Sequence, residues 1–254
     1  MPGQRRLYLQ RGLRVIACTL ILGCMDTSAE TIWLEINLGA IRRNVARLKK
    51  IAGKPVMAVV KANAYGHGMV EVSKAALKGG AERLCVARFE EALALRQAGI
   101  EAPILVMGFT EPEHALEAAG RDISLALFRL DTALAYEEAL AGESHPLQVH
   151  VKVDTGMGRL GVFPEDAASF VHQLRKLKSV QVEGIFTHFS SADESDPGVT
   201  EKQIAKFDRV IADLAKDGFR PPLIHASNSA GTLRYPQAVY DAVRPGIALY
   251  GLHP

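Results

Sequence analysis

The sequence predicts an α/β fold, a (β/α)8 barrel of the TIM type with eight parallel strands, in a single domain over residues 31–254. Short apolar runs alternate with longer segments of helical periodicity, and no low-complexity linker separates them. The runs are almost continuously apolar, which is typical of parallel strands buried on both faces. Eight repeats favour a closed barrel over a doubly wound open sheet, because no G-x-G-x-x-G turn follows the first strand.

Eight apolar runs are predicted as strands, and a further apolar piece at residues 32–36 precedes them. In chain order the strands cover residues 56–60, 84–86, 104–107, 123–126, 147–153, 182–186, 223–226 and 243–249. Helical spacing of Ile41, Val45, Leu48 and Ile51 predicts a helix before the first strand. Further helices are predicted over residues 90–98, 131–140, 165–177 and 201–215, several of them followed by a glycine stop.

Composition excludes several classes of function. The 254 residues are 48% hydrophobic and 23% charged, and 30 basic against 28 acidic side chains give a net charge of +2. That balance offers no electrostatic footprint for nucleic acid, and 6% aromatic residues make a base-stacking platform a poor hypothesis. Three cysteines form no disulfide framework. No apolar run reaches the ~18 residues of a membrane span.

The first thirty residues differ from the rest. Four arginines precede an apolar stretch at residues 15–23, and small residues follow at 27–29. This order is typical of a secretory signal, but it also fits a plain N-terminal extension. We leave both interpretations open and exclude residues 1–30 from the barrel.

Polar residues follow the predicted strands at the end where barrel enzymes build their active sites. They are Lys61 after the first strand, Lys152, Asp154 and Arg159 after the fifth, Thr187 and His188 after the sixth, His225, Asn228 and Ser229 after the seventh, and Arg244 and Gly246 in the eighth. The pattern therefore predicts a site at one rim.

Lys61 is the most informative of these residues. Loss of water at the end of a buried strand favours a neutral amine, which can attack a carbonyl and form a Schiff base. The alternative is a lysine that simply reaches solvent. Asn228, Ser229 and Gly246 suggest an anion site, or else an ordinary helix cap and turn. The histidines match no metal-ligand spacing, so we predict no metal. No G-x-S-x-G elbow supports a serine hydrolase.

Five ordered motifs resemble those of alanine racemases, from about residue 31 to the C-terminus. They are AVVKANAYGHG at 58–68, KVDTGMGRLG at 152–161, THF at 187–189, HASNSA at 225–230 and VRPGIALYG at 243–251. The resemblance implies a pyridoxal 5'-phosphate enzyme that interconverts L- and D-alanine for cell-wall peptidoglycan precursors. Five motifs in order are far more specific than one short pattern.

The resemblance also implies a role for each matched residue. Lys61 would be the Schiff-base lysine and the base on one face of the substrate. The cofactor phosphate would be held by Tyr65, Ser229, Gly246 and Ile247, with Asn228 in the same loop. His188 would lie near the pyridine ring, Arg244 at the pyridine nitrogen and Arg159 near the substrate carboxylate. Lys152 matches a position that is often carbamylated.

The sequence departs from the family after the last motif. Full-length members continue into a β-rich C-terminal domain, whose tyrosine acts as second base across a homodimer. No residue here matches that tyrosine motif, so we expect the barrel domain alone, a truncated form with impaired turnover. The resemblance favours the cytoplasm, although the N-terminal segment allows export. Alternatives are a non-catalytic pyridoxal-phosphate carrier in cofactor homeostasis, a broad-specificity amino-acid racemase and a related decarboxylase barrel.

Overall fold

The computed structural model describes residues 13–17 and 32–254. The strands are β1 (Leu13–Ala17), β2 (Ile32–Ile36), β3 (Met57–Val59), β4 (Arg83–Val86), β5 (Ile104–Val106), β6 (Ile123–Leu127), β7 (Leu147–Lys152), β8 (Val180–Phe186) and β9 (Leu223–His225). The helices are α1 (Leu38–Ala52), α2 (Met69–Lys78), α3 (Phe89–Gln97), α4 (Ala115–Gly120), α5 (Leu130–Ala139), α6 (Pro164–Leu174), α7 (Gly198–Lys216) and α8 (Ser229–Arg234). Short 3-10 helices lie at Pro112–His114, Pro236–Ala238 and Ile247–Tyr250.

Strands β3 to β9 form one seven-stranded sheet in sequence order, and every neighbouring pair is parallel. The first seven predicted strands are therefore confirmed, with ends displaced by a few residues. The predicted helices are confirmed as α1, α3, α5, α6 and α7. The sequence did not single out α2 and α4. No helix in the described part of the chain is long and apolar enough to cross a membrane.

The eighth predicted strand, residues 243–249, is not a regular strand. Val243 makes an isolated parallel bridge with Val56, and Ala242 makes one with His225. Residues 242–245 thus join both edges of the sheet, and backbone hydrogen bonds of Val243 and Arg244 to Pro55 and Ser227 reinforce the two bridges. Its second half is the 3-10 helix Ile247–Tyr250. The Pro245 carbonyl still accepts the Val59 N–H at 3.1 Å, so the prediction of a continuous strand was wrong only from Gly246 onward.

Helix α1 illustrates how local sequence sets the outer layer. The Asn37 side chain accepts a hydrogen bond from the Ala40 N–H at 2.9 Å and so caps the helix. Buried side chains recur at helical spacing, and the helix ends at Gly53, whose φ of 62° is left-handed. Ile51, assigned to the same apolar face, is 52% exposed. The buried stripe therefore ends before the helix does.

The sheet separates two apolar layers because successive side chains point to opposite faces. Ala58, Leu84 and Val86 belong to the large core between the sheet and the helices. Met57, Val59, Cys85, Leu105 and Ala242 form a separate interior cluster on the concave face. Burial on both faces is what the continuous apolar runs predicted.

The N-terminal region is described only in part. Strand β1 pairs antiparallel with β2, and Leu13 lies opposite Ile36. The apolar piece at residues 32–36 is β2. The rest of the predicted signal segment lies outside the described residues.

Candidate active site

A cavity of about 200 Å³ opens at the carboxyl ends of the strands. All eight residues that the sequence proposed for the cofactor line it. They are Lys61, Tyr65, His188, Asn228, Ser229, Arg244, Gly246 and Ile247, joined by Val59, Met107, Asp193, Ala230 and Pro254. Sequence reasoning missed Met107 and Asp193. Met107 directly follows β5, so its place at the strand end was an available signal.

Lys61 opens a short turn of left-handed backbone directly after β3. Residues 62–65 all have φ between 52° and 55°, although none is glycine. Such backbone costs roughly 1–2 kcal/mol per residue and needs support. The Glu91 carboxylate accepts the Ala62 N–H, and the Asn63 side chain accepts the Met69 N–H at 2.8 Å. Glu91 is a supporting residue that the sequence did not reveal.

Tyr65 reaches the far wall of the cavity. A Cβ placed on Gly246 would lie 2.7 Å from the Tyr65 hydroxyl oxygen, so only glycine permits this approach. Partial burial raises the pKa of Tyr65, so the phenol keeps its proton at neutral pH. Its hydroxyl is therefore available as a hydrogen-bond donor.

Ser229, at the start of α8, lies at the same corner of the cavity as Tyr65 and Gly246. Its hydroxyl oxygen accepts the N–H groups of Gly246 at 2.9 Å and Ala248 at 3.2 Å. The Ser229 hydrogen thus remains free to donate elsewhere. Asn228 caps α8 through the Gly231 N–H at 2.9 Å. The Tyr65 and Ser229 hydroxyls thus supply neutral donors at this corner.

Arg244 lies at the base of the cavity and is 2% exposed. Its Nη2 donates to the carbonyl oxygens of Thr187 at 2.6 Å and Ala226 at 3.0 Å, and its Nη1 contacts Nδ1 of His225. Burial lowers the pKa of Arg244 to about 10, so the guanidinium stays charged at pH 7. These contacts fix it in one orientation.

His188 is half-buried on the cavity wall. Burial, and then the positive charge of Arg244, lowers the pKa of His188 to about 3. The ring is therefore neutral at physiological pH.

Lys152 is buried behind the cavity rather than on its lining. Its Nζ has no hydrogen-bond partner within residues 32–254 and lies 4.9 Å from the centre of the Phe186 ring. Burial, followed by the charge of Arg244, holds the pKa of Lys152 well below its ordinary value. The amine is thus biased toward its neutral form.

Arg159 occupies an exposed loop and does not line the cavity. The loop is shaped by Asp154, whose carboxylate accepts the N–H groups of Gly156, Met157 and Gly158 at 2.8 to 3.1 Å. Burial opposes ionisation of Asp154, but these hydrogen bonds outweigh it and lower its pKa. Arg159 therefore lies outside the group of eight residues that line the cavity.

Comparison with known proteins gives a consistent family. The family model described as alanine racemase, N-terminal domain, matches residues 36–254. An alanine racemase of Methanococcus maripaludis is 46% identical over 226 residues, which are 88% of this chain and 61% of that protein. The chain therefore spans about three-fifths of the length of this curated relative.

Solved structures agree. A crystal structure of alanine racemase from Bacillus anthracis with bound L-Ala-P matches with a TM-score of 0.81 and 40% identity, covering 85% of this chain and 57% of that one. A histidine racemase from Leuconostoc mesenteroides matches with a TM-score of 0.80 and 33% identity, covering 85% and 58%. The chain belongs to the alanine racemase N-terminal domain family.

Proposed function

We propose that this chain is the cofactor-binding part of a pyridoxal 5'-phosphate-dependent racemase that interconverts L- and D-alanine for peptidoglycan precursors. The proposal rests on the observation that the eight residues assigned to the cofactor line one cavity, while Arg159 and Lys152, which the motifs also supplied, lie outside its lining. In this proposal the segment at residues 242–245 acts as the eighth strand, and its bridges to Val56 and His225 close the barrel.

The residues at the cavity fit the proposed cofactor. The close approach of Gly246 to the Tyr65 hydroxyl, with the Ser229 hydroxyl beside it, makes a corner of neutral donors suited to a phosphate. Ile247 and Asn228 complete this corner. When bound, pyridoxal phosphate supplies an electron sink for a carbanion at the substrate Cα.

Arg244 is proposed to face the pyridine nitrogen. A guanidinium can only donate hydrogen bonds, so this partner keeps its own proton and leaves the ring nitrogen as an acceptor. The electron sink is then weaker, which disfavours side reactions such as transamination. The neutral ring of His188 offers a flat surface beside the pyridine without adding a charge.

Lys61 is proposed to bind the cofactor covalently and to transfer the Cα proton on one face of the substrate. Racemisation needs an acid or base on each face of Cα. The family resemblance assigns the second group to a tyrosine of a further domain across a homodimer. We propose the same assembly for the whole protein and place it in the cytoplasm. Mass spectrometry of the mature N-terminus would reveal export as a chain shortened near residue 30.

Lys152 is proposed to be carbamylated. A buried neutral amine can add carbon dioxide and release a proton, which turns the side chain into an anion. The positive charges of Arg244 and Arg159 both act on Lys152, so this anion would be stabilised where an ammonium is not. Arg159 is then proposed to pair with it and to receive the substrate carboxylate. Carbon-13 NMR in labelled bicarbonate should give a carbamate signal that Lys152→Met abolishes.

The central test is attachment of the cofactor to Lys61. Wild-type protein mixed with pyridoxal phosphate, reduced with borohydride and digested should carry the modification on the peptide containing Lys61. The Lys61→Ala variant should lose this modification. Lys50 is exposed in helix α1, and the Lys50→Ala variant should keep the modification. Modification spread over surface lysines would contradict the proposal.

A second candidate is a racemase with another amino acid as substrate, because the Leuconostoc histidine racemase shares this fold at a TM-score of 0.80. Exchange of the Cα proton with solvent deuterium, followed for alanine and histidine, compares the two candidates directly. Preferential exchange of alanine supports the main proposal. Cofactor binding without exchange of either amino acid would indicate a carrier instead.

A further inference from the structure

A line of polar side chains, buried except for a half-buried Glu183 at its end, leads away from the cavity through the interior of the sheet. Arg244 Nη1 contacts His225 Nδ1, His225 Nε2 lies 2.8 Å from His150 Nδ1, and His150 Nε2 lies 2.9 Å from a Glu183 carboxylate oxygen. Both imidazoles are fully buried. We call these four residues the interior relay. At its far end the Glu183 carboxylate also pairs with Arg83, the first residue of β4.

The chemistry of the end groups fixes the hydrogens of the interior relay. Arg244 can only donate, so His225 must accept at Nδ1 and carry its proton at Nε2. His150 then accepts at Nδ1 and donates from Nε2 to the Glu183 carboxylate. Burial of both histidines favours this neutral state. One proton arrangement satisfies every contact.

Strand β8 is shaped to admit this arrangement. Val149 pairs with Val182, yet His150 pairs with Gly184, so Glu183 is an extra residue in a β-bulge. Bulges re-aim side chains beside functional sites. A Cβ on Gly184 would lie 2.5 Å from His150 Nδ1, so glycine makes room for this ring. Phe186 stacks on His225, with ring centres 5.0 Å apart and planes at 9°.

We infer that Glu183 is a positioning residue, which holds the Arg244 guanidinium in place at the cavity through His150 and His225. The inference rests on the proposed function, in which Arg244 faces the cofactor. Glu183 itself is not part of the cavity lining, and its hydrogen bonds and ion pairs within the described part of the chain reach none of the lining residues.

Glu183→Gln tests the inference sharply. Arg83 can only donate, so it would hold the amide oxygen and turn the amide NH2 toward His150. His150 would then accept at Nε2 and move its proton to Nδ1, which in turn forces the His225 proton onto Nδ1, against Arg244. The double variant Arg83→Met, Glu183→Gln frees the amide to rotate and should restore the original tautomers.

The readout is long-range proton–nitrogen NMR of the cofactor-free full chain, which distinguishes protonated from unprotonated ring nitrogens. We expect Nε2–H on both histidines in wild type, Nδ1–H in Glu183→Gln and recovery in the double variant. Ser124→Ala is the matched control, because Ser124 donates to the same carboxylate at 2.7 Å without belonging to the relay. An Nδ1–H on either histidine of wild type overturns the inference, even if no variant folds.

A titration with pyridoxal phosphate completes the test. Affinity should fall about tenfold in Glu183→Gln, as for loss of one charge-assisted hydrogen bond, and should stay unchanged in Ser124→Ala. Unchanged tautomers in Glu183→Gln would overturn the inference. Failure of wild type to bind the cofactor at Lys61 would instead refute the proposed function, because the tautomers are measured without cofactor.

Discussion

The concave interior of the sheet has two unlike halves. On the side of β3, β4 and β5 it is filled by Met57, Val59, Cys85 and Leu105. On the side of β7, β8 and β9 it holds the interior relay. Both halves are buried, but an apolar side chain is stabilised by burial, whereas a charge is destabilised unless every polar group is paired. The difference teaches that the polar half is stable only while each of its groups keeps its partner, whereas the apolar half needs no such pairing.

His225→Leu should break the polar half with the largest effect. Leucine fills similar space but removes the hydrogen-bond partner of Arg244 Nη1 and of His150 Nδ1, both of which stay buried. We expect a loss of about 3 kcal/mol in the free energy of unfolding, measured by urea denaturation. His172→Leu, on the exposed face of α6, is the control. A cost below that of an ordinary surface change would show that the relay is not stabilising.

Acid should weaken the polar half and, through His188, the adjoining cavity wall. The pKa values of His150, His188 and His225 are lowered in the folded protein, chiefly by burial. The unfolded chain therefore binds more protons below pH ~6.5, and stability present above that pH is lost as pH falls. We expect about 1.4 kcal/mol per pH unit for each imidazole. Urea midpoints at pH 7 and 5.5 measure this decline, and His188→Gln should lessen it. A flat profile would contradict it.

Leu105→Val changes the apolar half alone and tests whether the two halves are independent. Removing one buried methylene should cost about 1 kcal/mol in unfolding free energy. The tautomers of His150 and His225 and the affinity for pyridoxal phosphate should stay as in wild type. A change in the tautomers would mean that the two halves are coupled.

Glu91→Gln should have the smallest effect on the free energy of unfolding, about 0.5 kcal/mol. One carboxylate oxygen of Glu91 accepts Ala62 N–H and the other accepts the N–H groups of Ala87 and Arg88, and an amide cannot accept at both ends. The left-handed turn after Lys61 should loosen, and attachment of the cofactor should slow. Glu90→Gln, exposed one residue earlier, is the control. Equal rates of cofactor attachment in both variants would show that the Glu91 carboxylate does not support the turn.

The order of elements and much of the cavity could be predicted from the sequence. Apolar runs located seven strands, and polar residues at their ends included the lysine, serine and arginine that meet at the cavity. The family resemblance added Tyr65 and Ile247. The eighth strand was predicted to run too far, because the same apolar run continues from residues 242–245 into a 3-10 helix. Arg159 was placed with the others by its position after the fifth strand and by its motif, but it lies in an exposed loop outside the cavity lining.

By itself, the sequence determined the alternation of strand and helix and the rim where polar groups gather, since both follow from local periodicity and chain direction. Only the tertiary structure decided that the Glu183 bulge faces His150, that Gly184 admits its ring and that Glu91 supports the turn after Lys61. These contacts join residues that are far apart in the chain. They depend on strand register and on hydrogen-bond direction, and neither of these two properties produces a periodic pattern in the sequence.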